Sequence, residues 1–151
     1  MRFILTTALA SVIAATPALA NEARVDVTGG AVWNRSDTEA TVGATAGYDW
    51  DLQPSGGFVG VEGTVQKVLA GGYDVEGNLG VRAGLHVTPS TKLYGLAGYT
   101  IRQGVDAPNL GAGIEQDVGR NLYVKTEYKH NFVKDGLPDY NSATAGVGLR
   151  F

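Results

Sequence analysis

Apolar and polar residues alternate along most of the chain after its first twenty residues. Between Tyr73 and Val87, alternate positions carry Tyr, Val, Leu or Ala apart from one glycine, and the positions between them carry Asp, Glu, Asn, Arg, His and two glycines. A period of two is typical of β-strands, because successive side chains point to opposite faces. Eight segments follow it, at about residues 22–34, 39–51, 57–68, 73–87, 92–103, 109–118, 121–133 and 142–151.

The connections between these segments have turn composition. "LQPSGG", "TPSTK" and "VGRN" are short turns after the second, fourth and sixth segments, and somewhat longer connections follow the others. The sequence therefore predicts an all-β fold, an eight-stranded antiparallel up-and-down barrel spanning residues 21–151 as one domain. The fifth strand could face either way, and we favour Ala97, Tyr99 and Ile101 on the apolar side.

Alternation alone does not say which face is inside. A soluble barrel turns its apolar face inward, and a transmembrane barrel turns it outward to lipid. The segments are longer than the ~5–6 residues typical of globular strands and suit a tilted bilayer crossing of roughly 9–11 residues. Charged side chains also sit at mid-strand. We expect a transmembrane barrel, with a soluble, lipocalin-like periplasmic carrier as the less favoured alternative.

Charged residues recur on the polar face of the strands. In a transmembrane barrel they point into the lumen, where a buried charge is tolerated when it is paired. The predicted lumen charge network consists of Arg24, Asp26, Asp49, Glu62, Glu76, Arg82, Arg102, Glu115, Lys125, Glu127, Lys129 and Arg150. An eight-stranded barrel is just wide enough for side chains to fill, so a paired, closed lumen is favoured. Ten glycines on the same face leave a low-conductance porin for small solutes as the alternative.

Aromatic residues on the apolar face fall near the strand ends. Trp33, Tyr73, Tyr99 and Phe132 lie near the longer connections. Tyr48, Trp50 and Phe151 lie near the short turns. Two aromatic rows at opposite ends of an apolar band form the interfacial girdle of a membrane barrel.

The first twenty residues predict export. Arg2 precedes an apolar stretch that closes with Ala18-Leu19-Ala20, the pattern of a cleaved secretory signal peptide. The rest of the chain then carries 11 Lys and Arg (12 less Arg2) against 15 Asp and Glu, a net charge of −4. That balance gives no basic patch for nucleic acid. The chain has no cysteine, so disulfides cannot hold it together.

Catalytic and metal-binding chemistry finds little support in the sequence. The two histidines, His86 and His130, lie on different strands without a metal-ligand spacing. His130 falls on the lipid-facing register without a neighbouring serine nucleophile, and we interpret it as an interfacial polar residue. We therefore expect no enzymatic activity, no cofactor and no metal, and a monomer whose main partner is outer-membrane lipid.

The segments "KLYGLAGYT", "NLYVKTEYKH" and "AGVGLRF" give the chain a family resemblance. It resembles opacity-type outer-membrane β-barrels, relatives of the transmembrane barrel domain of outer membrane protein A. The resemblance implies residence in the Gram-negative outer membrane, with periplasmic chaperones and the outer-membrane assembly machinery as partners during biogenesis. It also implies that Val147, Leu149 and Phe151 form the assembly signal. Long surface loops carry adhesion in such relatives, and the connections here are short.

Overall fold

The computed structural model describes residues 21–72, 75–102, 105–133 and 138–151. The predicted signal peptide and Tyr73 lie outside these ranges. No helix long and apolar enough to span a membrane occurs within them. The described residues form eight strands: β1 (Asn21–Trp33), β2 (Thr38–Leu52), β3 (Gly57–Val68), β4 (Val75–Thr88), β5 (Thr91–Arg102), β6 (Val105–Asp117), β7 (Leu122–Asn131) and β8 (Tyr140–Arg150).

Each strand pairs antiparallel with its neighbours in the chain, and β8 pairs back onto β1 to close the barrel. The closing register runs from Arg24 opposite Arg150 to Trp33 opposite Asn141. Closure removes the open edges that a sheet would otherwise expose. We call the end with residues 53–56, 89–90 and 118–121 the turn end, and the opposite end the loop end.

The barrel is apolar outside and polar inside. Leu79 and Val81 on β4 point outward and keep 65% and 55% of their surface exposed, whereas Arg82 between Val81 and Ala83 is only 1% exposed. This arrangement is the reverse of a soluble core. The predicted fold, an eight-stranded antiparallel barrel, is confirmed. The favoured facing of the fifth strand is also found, with Tyr99 outward and Thr100 buried inside.

The prediction was wrong about the start of the sixth strand. The alternation predicts a strand from about residue 109, but β6 begins at Val105. Pro108 lies opposite Tyr99, and its carbonyl accepts from the Phe132 amide on the other side, just past the last paired residue Asn109. An N–H at residue 108 would point toward Phe132 as well, so its absence costs the pairing with β5 nothing.

Candidate functional site

All twelve residues of the predicted lumen charge network occupy inward positions. Ten of them join through ion pairs into one connected cluster, the lumen network: Arg24, Asp26, Asp49, Glu62, Arg82, Glu115, Lys125, Glu127, Lys129 and Arg150. The structure does not bring the other two to it. Glu76 and Arg102 form a separate pair at the loop end, with Arg102 Nη1 donating to Glu76 Oε1 at 2.7 Å.

Arg82 holds the turn-end half of the lumen network together. Its Nε donates to Asp49 Oδ1 at 2.8 Å, its Nη2 pairs with the second Asp49 oxygen, and its Nη1 donates to Glu115 Oε2 at 2.9 Å. Such multidentate contacts between guanidinium and carboxylate are stronger than neutral hydrogen bonds. The guanidinium also lies 4.7 Å from the ring centroid of Tyr94 and 5.1 Å from that of Phe58. Arg82 is thus packed on its faces and paired at its edge.

The middle of the lumen network alternates acids and bases around the bore. Arg24 Nη2 donates to Glu62 Oε2 at 2.6 Å. Lys125 Nζ lies 3.0 Å from Asp26 Oδ1 and 3.1 Å from Glu127 Oε1. Each of these side chains is almost completely buried. Transfer of a charged group from water to a buried site carries a high Born cost. These acids and bases therefore stay ionised only because they pair with one another.

Sequence reasoning missed three charged members of this region. Lys92 is 4% exposed, and its Nζ lies 2.9 Å from Glu22, 3.5 Å from Asp49 and 3.8 Å from Glu115. Asp117 and Glu22 both contact Arg150 at the turn end. The alternation of the fifth strand could have predicted the position of Lys92. An inward Arg102 requires every even-numbered residue of that strand to face inward.

Two tyrosines bring hydroxyl donors into the lumen. The Tyr94 hydroxyl donates to Glu127 at 2.9 Å, and the Tyr123 hydroxyl donates to Asp26 at 2.8 Å. Both rings are buried, and Tyr94 packs edge-on with Phe58. A polar lumen therefore contains an aromatic layer that sequence reasoning did not identify. It fills the bore with large rigid groups as well as with charges.

The inward glycines make room for these long side chains. A methyl group added at Gly47 would lie 2.7 Å from Arg24 Nη2, and one at Gly113 would lie 2.6 Å from the Tyr94 ring. Distances below 3.0 Å are not tolerated without a shift. Neighbouring side chains therefore occupy the space beside these two glycines.

A group of uncharged polar side chains lies in the loop-end half of the lumen. Thr100 Oγ1 accepts from Asn78 and Asn109 at 3.0 and 3.1 Å and donates to Asn131 at 3.1 Å. A cavity of about 20 Å³ lies beside this group. That volume holds about one water molecule. A wider cavity of about 160 Å³ opens above it at the loop end.

The described aromatic girdle residues all occupy outward positions. Tyr48 and Trp50 pack edge-on near the turn end with ring centroids 5.0 Å apart, and the Phe151 backbone is hydrogen-bonded to Ala23 there. Phe132 lies near the loop end. The ring centroids of Trp33 and Tyr128 lie 6.1 Å apart, so Tyr128 extends this row.

The predicted assembly residues and the histidines have clear positions. Val147 and Leu149 point outward on β8, in the same register as Phe151 beyond the strand. His86 Nε2 lies 3.1 Å from Asp51 Oδ1 inside the turn end. His130 Nδ1 lies 2.8 Å from the side-chain oxygen of Asn141 at the loop end. Within the described ranges, no group of three or more His, Cys, Asp or Glu side chains is arranged to hold a metal.

Comparison with known families identifies this architecture. A family profile described as "outer membrane protein beta-barrel domain" matches residues 5–151. The chain belongs to this outer-membrane β-barrel family. No curated protein matches the chain by sequence. The resemblance to outer-membrane barrels is thus confirmed for the broad family, and this outer-membrane barrel belongs in the bacterial outer membrane.

Solved barrels share the fold of this outer-membrane barrel at low sequence identity. Neisserial surface protein A is 16% identical, with a TM-score of 0.59 over 87% of this chain and 97% of that one. Ail, the attachment invasion locus protein of Yersinia pestis, is 18% identical, with a TM-score of 0.56 over 87% and 97%. The de novo designed barrel TMB2.3 is 22% identical, with a TM-score of 0.55 over 90% and 98%. These likenesses concern the fold alone.

Proposed function

We propose that the protein is a non-catalytic, monomeric outer-membrane barrel with a structural or surface role and a closed lumen. The main support for this proposal is the lumen network. Every fully buried carboxylate in it has at least one cationic side chain within 4.0 Å. Neighbouring side chains fill the space beside the inward glycines. Paired charges, buried aromatic rings and filled space beside the glycines together support a plugged lumen rather than a pore.

The outward face supports lipid as the partner along the barrel wall. Val27, Leu79 and Val65 each leave more than half of their surface exposed, which a soluble carrier would have to cover. The carrier alternative would need an open apolar calyx, whereas charged and aromatic side chains fill the middle of this lumen. We propose that the turn end faces the periplasm and the loop end faces outward, and that residues 1–20 direct export.

Planar-bilayer recording of the refolded protein tests the closed lumen. We expect no discrete conductance steps from the wild type. The double variant Arg82→Ala and Tyr94→Ala removes the two largest groups of one layer, and we expect it to show steps if it keeps its heat-modifiable gel mobility. Discrete steps from the wild type would instead establish the low-conductance porin.

The loop end supports a structural role better than polyanion binding. Ail has been crystallised with the heparin analogue sucrose octasulfate, which is highly negatively charged. In this chain, Asp37, Glu39, Asp106 and Asp139 near the loop end outnumber the described bases there, Arg35, Lys67 and Arg102. An acidic rim repels a polyanion, so we do not extend that ligand to this chain.

The outward row Val147, Leu149 and Phe151 is proposed as the signal read by the assembly machinery, with chaperones acting earlier in the periplasm. This row follows the narrower resemblance to opacity-type barrels. We expect Phe151→Ala to lower the amount of folded barrel in outer membranes while refolding into vesicles stays efficient. Equal losses in both assays would assign Phe151 to barrel stability instead.

A further inference from the structure

The cavity of about 160 Å³ at the loop end has apolar walls inside an otherwise polar lumen. Val32 on β1 and Val68 on β3 point inward there, and both are nearly buried. Val133 and Pro138 line the same cavity from the connection between β7 and β8, and Trp33 lies at its edge. These apolar walls contrast with the ion pairs that fill the middle of the lumen. Apolar walls of this kind favour contact with an apolar group over contact with water.

The floor and rim of this cavity carry an excess of negative charge. At the floor, Arg102 is neutralised by Glu76, at 2.7 Å. Asp37 and Glu39 line the cavity above that pair, and neither has an ion-pair partner among the described residues. Among the described residues, the lining therefore holds three carboxylates and one guanidinium. The negative electrostatic potential of these groups favours a cation at the rim.

We propose that this cavity binds a small organic monocation with an apolar body of about one ring, such as an arylalkylammonium ion. A pocket of ~150 Å³ accommodates benzene, so the observed volume sets the size of the body. The body contacts Val32 and Val68, and the ammonium group lies near Asp37 and Glu39. The inward ring of Tyr140 adds a further surface that attracts cations. The site is independent of whether the deeper lumen conducts.

The probe is phenethylammonium, titrated into the barrel in zwitterionic nanodiscs and followed by methyl NMR of labelled valines. We expect saturable shifts at Val32 and Val68. Val75 points outward to lipid at the same end of the barrel and reports partitioning of the probe into the bilayer. Phenylacetate and 2-phenylethanol share the ring but carry a negative charge or none, and we expect both to bind more weakly.

Matched variants separate the site from general charge. Glu39→Gln and Asp37→Asn should each raise the Kd for phenethylammonium by about two- to fivefold, the range of exposed ion pairs. Asp106→Asn removes the same charge at the same end, but on the outward face, and should leave the Kd unchanged. Val68→Phe fills the cavity and should abolish the saturable shifts at Val32 while the gel mobility of the folded barrel is kept.

Three outcomes would overturn the proposal. One is non-saturable shifts that follow Val75, because they would mean partitioning alone. Another is equal affinity for phenylacetate, because charge would then play no part. The third is a Kd that rises as much for Asp106→Asn as for Glu39→Gln. Glu39 lies at the rim and outside the lumen network, so its variant tests the site even if Val68→Phe fails to fold. A barrel that conducts yet binds the probe would refute the closed lumen and leave this site standing.

Discussion

Replacing Arg82 with methionine tests the lumen network most directly. Methionine keeps much of the side-chain volume against Tyr94 and Phe58 but removes every contact of the guanidinium. Asp49 then loses its closest charged partner, and Glu115 loses one of its two close ones. Asp49 keeps Lys92 at 3.5 Å, and Glu115 keeps Arg150 at 2.7 Å.

The magnitude follows from the cost of breaking a buried ion pair. Removing one partner of such a pair costs about 3–5 kcal/mol, because it leaves an uncompensated buried charge. The remaining cations soften that penalty, so we expect Arg82→Met to lower the free energy of unfolding by about 3 kcal/mol. Adding Glu115→Gln restores the charge balance and should make the double variant more stable than the sum of the single effects, by about 1 kcal/mol.

Urea unfolding in lipid vesicles, followed by tryptophan fluorescence, measures these values. Lys67→Met is the control, since Lys67 is exposed on the outward face at the loop end and has no ion-pair partner among the described residues. We expect it to stay within about 0.5 kcal/mol of the wild type. A cost below about 1 kcal/mol for Arg82→Met, or strict additivity with Glu115→Gln, would refute the view that the charges are held by mutual pairing.

Two further predictions concern the faces of the barrel wall. Val81→Arg, at the middle of β4 on the lipid face, should lower the free energy of unfolding in vesicles by about 2–4 kcal/mol. Val75→Arg near the loop end should lower it by only about 0–1 kcal/mol. Equal losses would contradict the outward facing of Val81. Gly113→Ala should cost about 1–3 kcal/mol because the new methyl meets the Tyr94 ring, whereas Gly95→Ala, whose nearest heavy atom is 3.9 Å away, should leave the urea midpoint nearly unchanged.

The strand count and the facing were predictable because period-two alternation carries them directly. Val81 beside Arg82 is enough to separate the two sides of β4, and strand length and mid-strand charge then favour lipid outside. Alternation also predicts the facing of residues whose chemical type does not indicate whether they point inward or outward. Tyr94 and Lys92 look like surface or core residues by type, yet both must face inward once Arg102 does.

The sequence could not predict which charged residues pair with one another in the lumen. Alternation places Glu76 and Arg24 on the same face, but only the register shows that Glu76 lies at the loop end and cannot reach the lumen network. The apolar pocket at the mouth was hidden for a similar reason. Val32 and Val68 each follow several polar inward positions on their strands, so an average over each strand conceals the change at its last inward residue.

The fit between inward glycines and long side chains has a consequence for sequence drift. Gly47 accommodates Arg24, Gly60 accommodates Asp49 and Gly113 accommodates Tyr94, so each small position is reserved for a particular neighbour. A bulkier residue at such a glycine becomes neutral only after its neighbour has shortened. We expect the inner wall to diverge through coupled pairs of substitutions, while the lipid-facing wall exchanges one apolar residue for another independently.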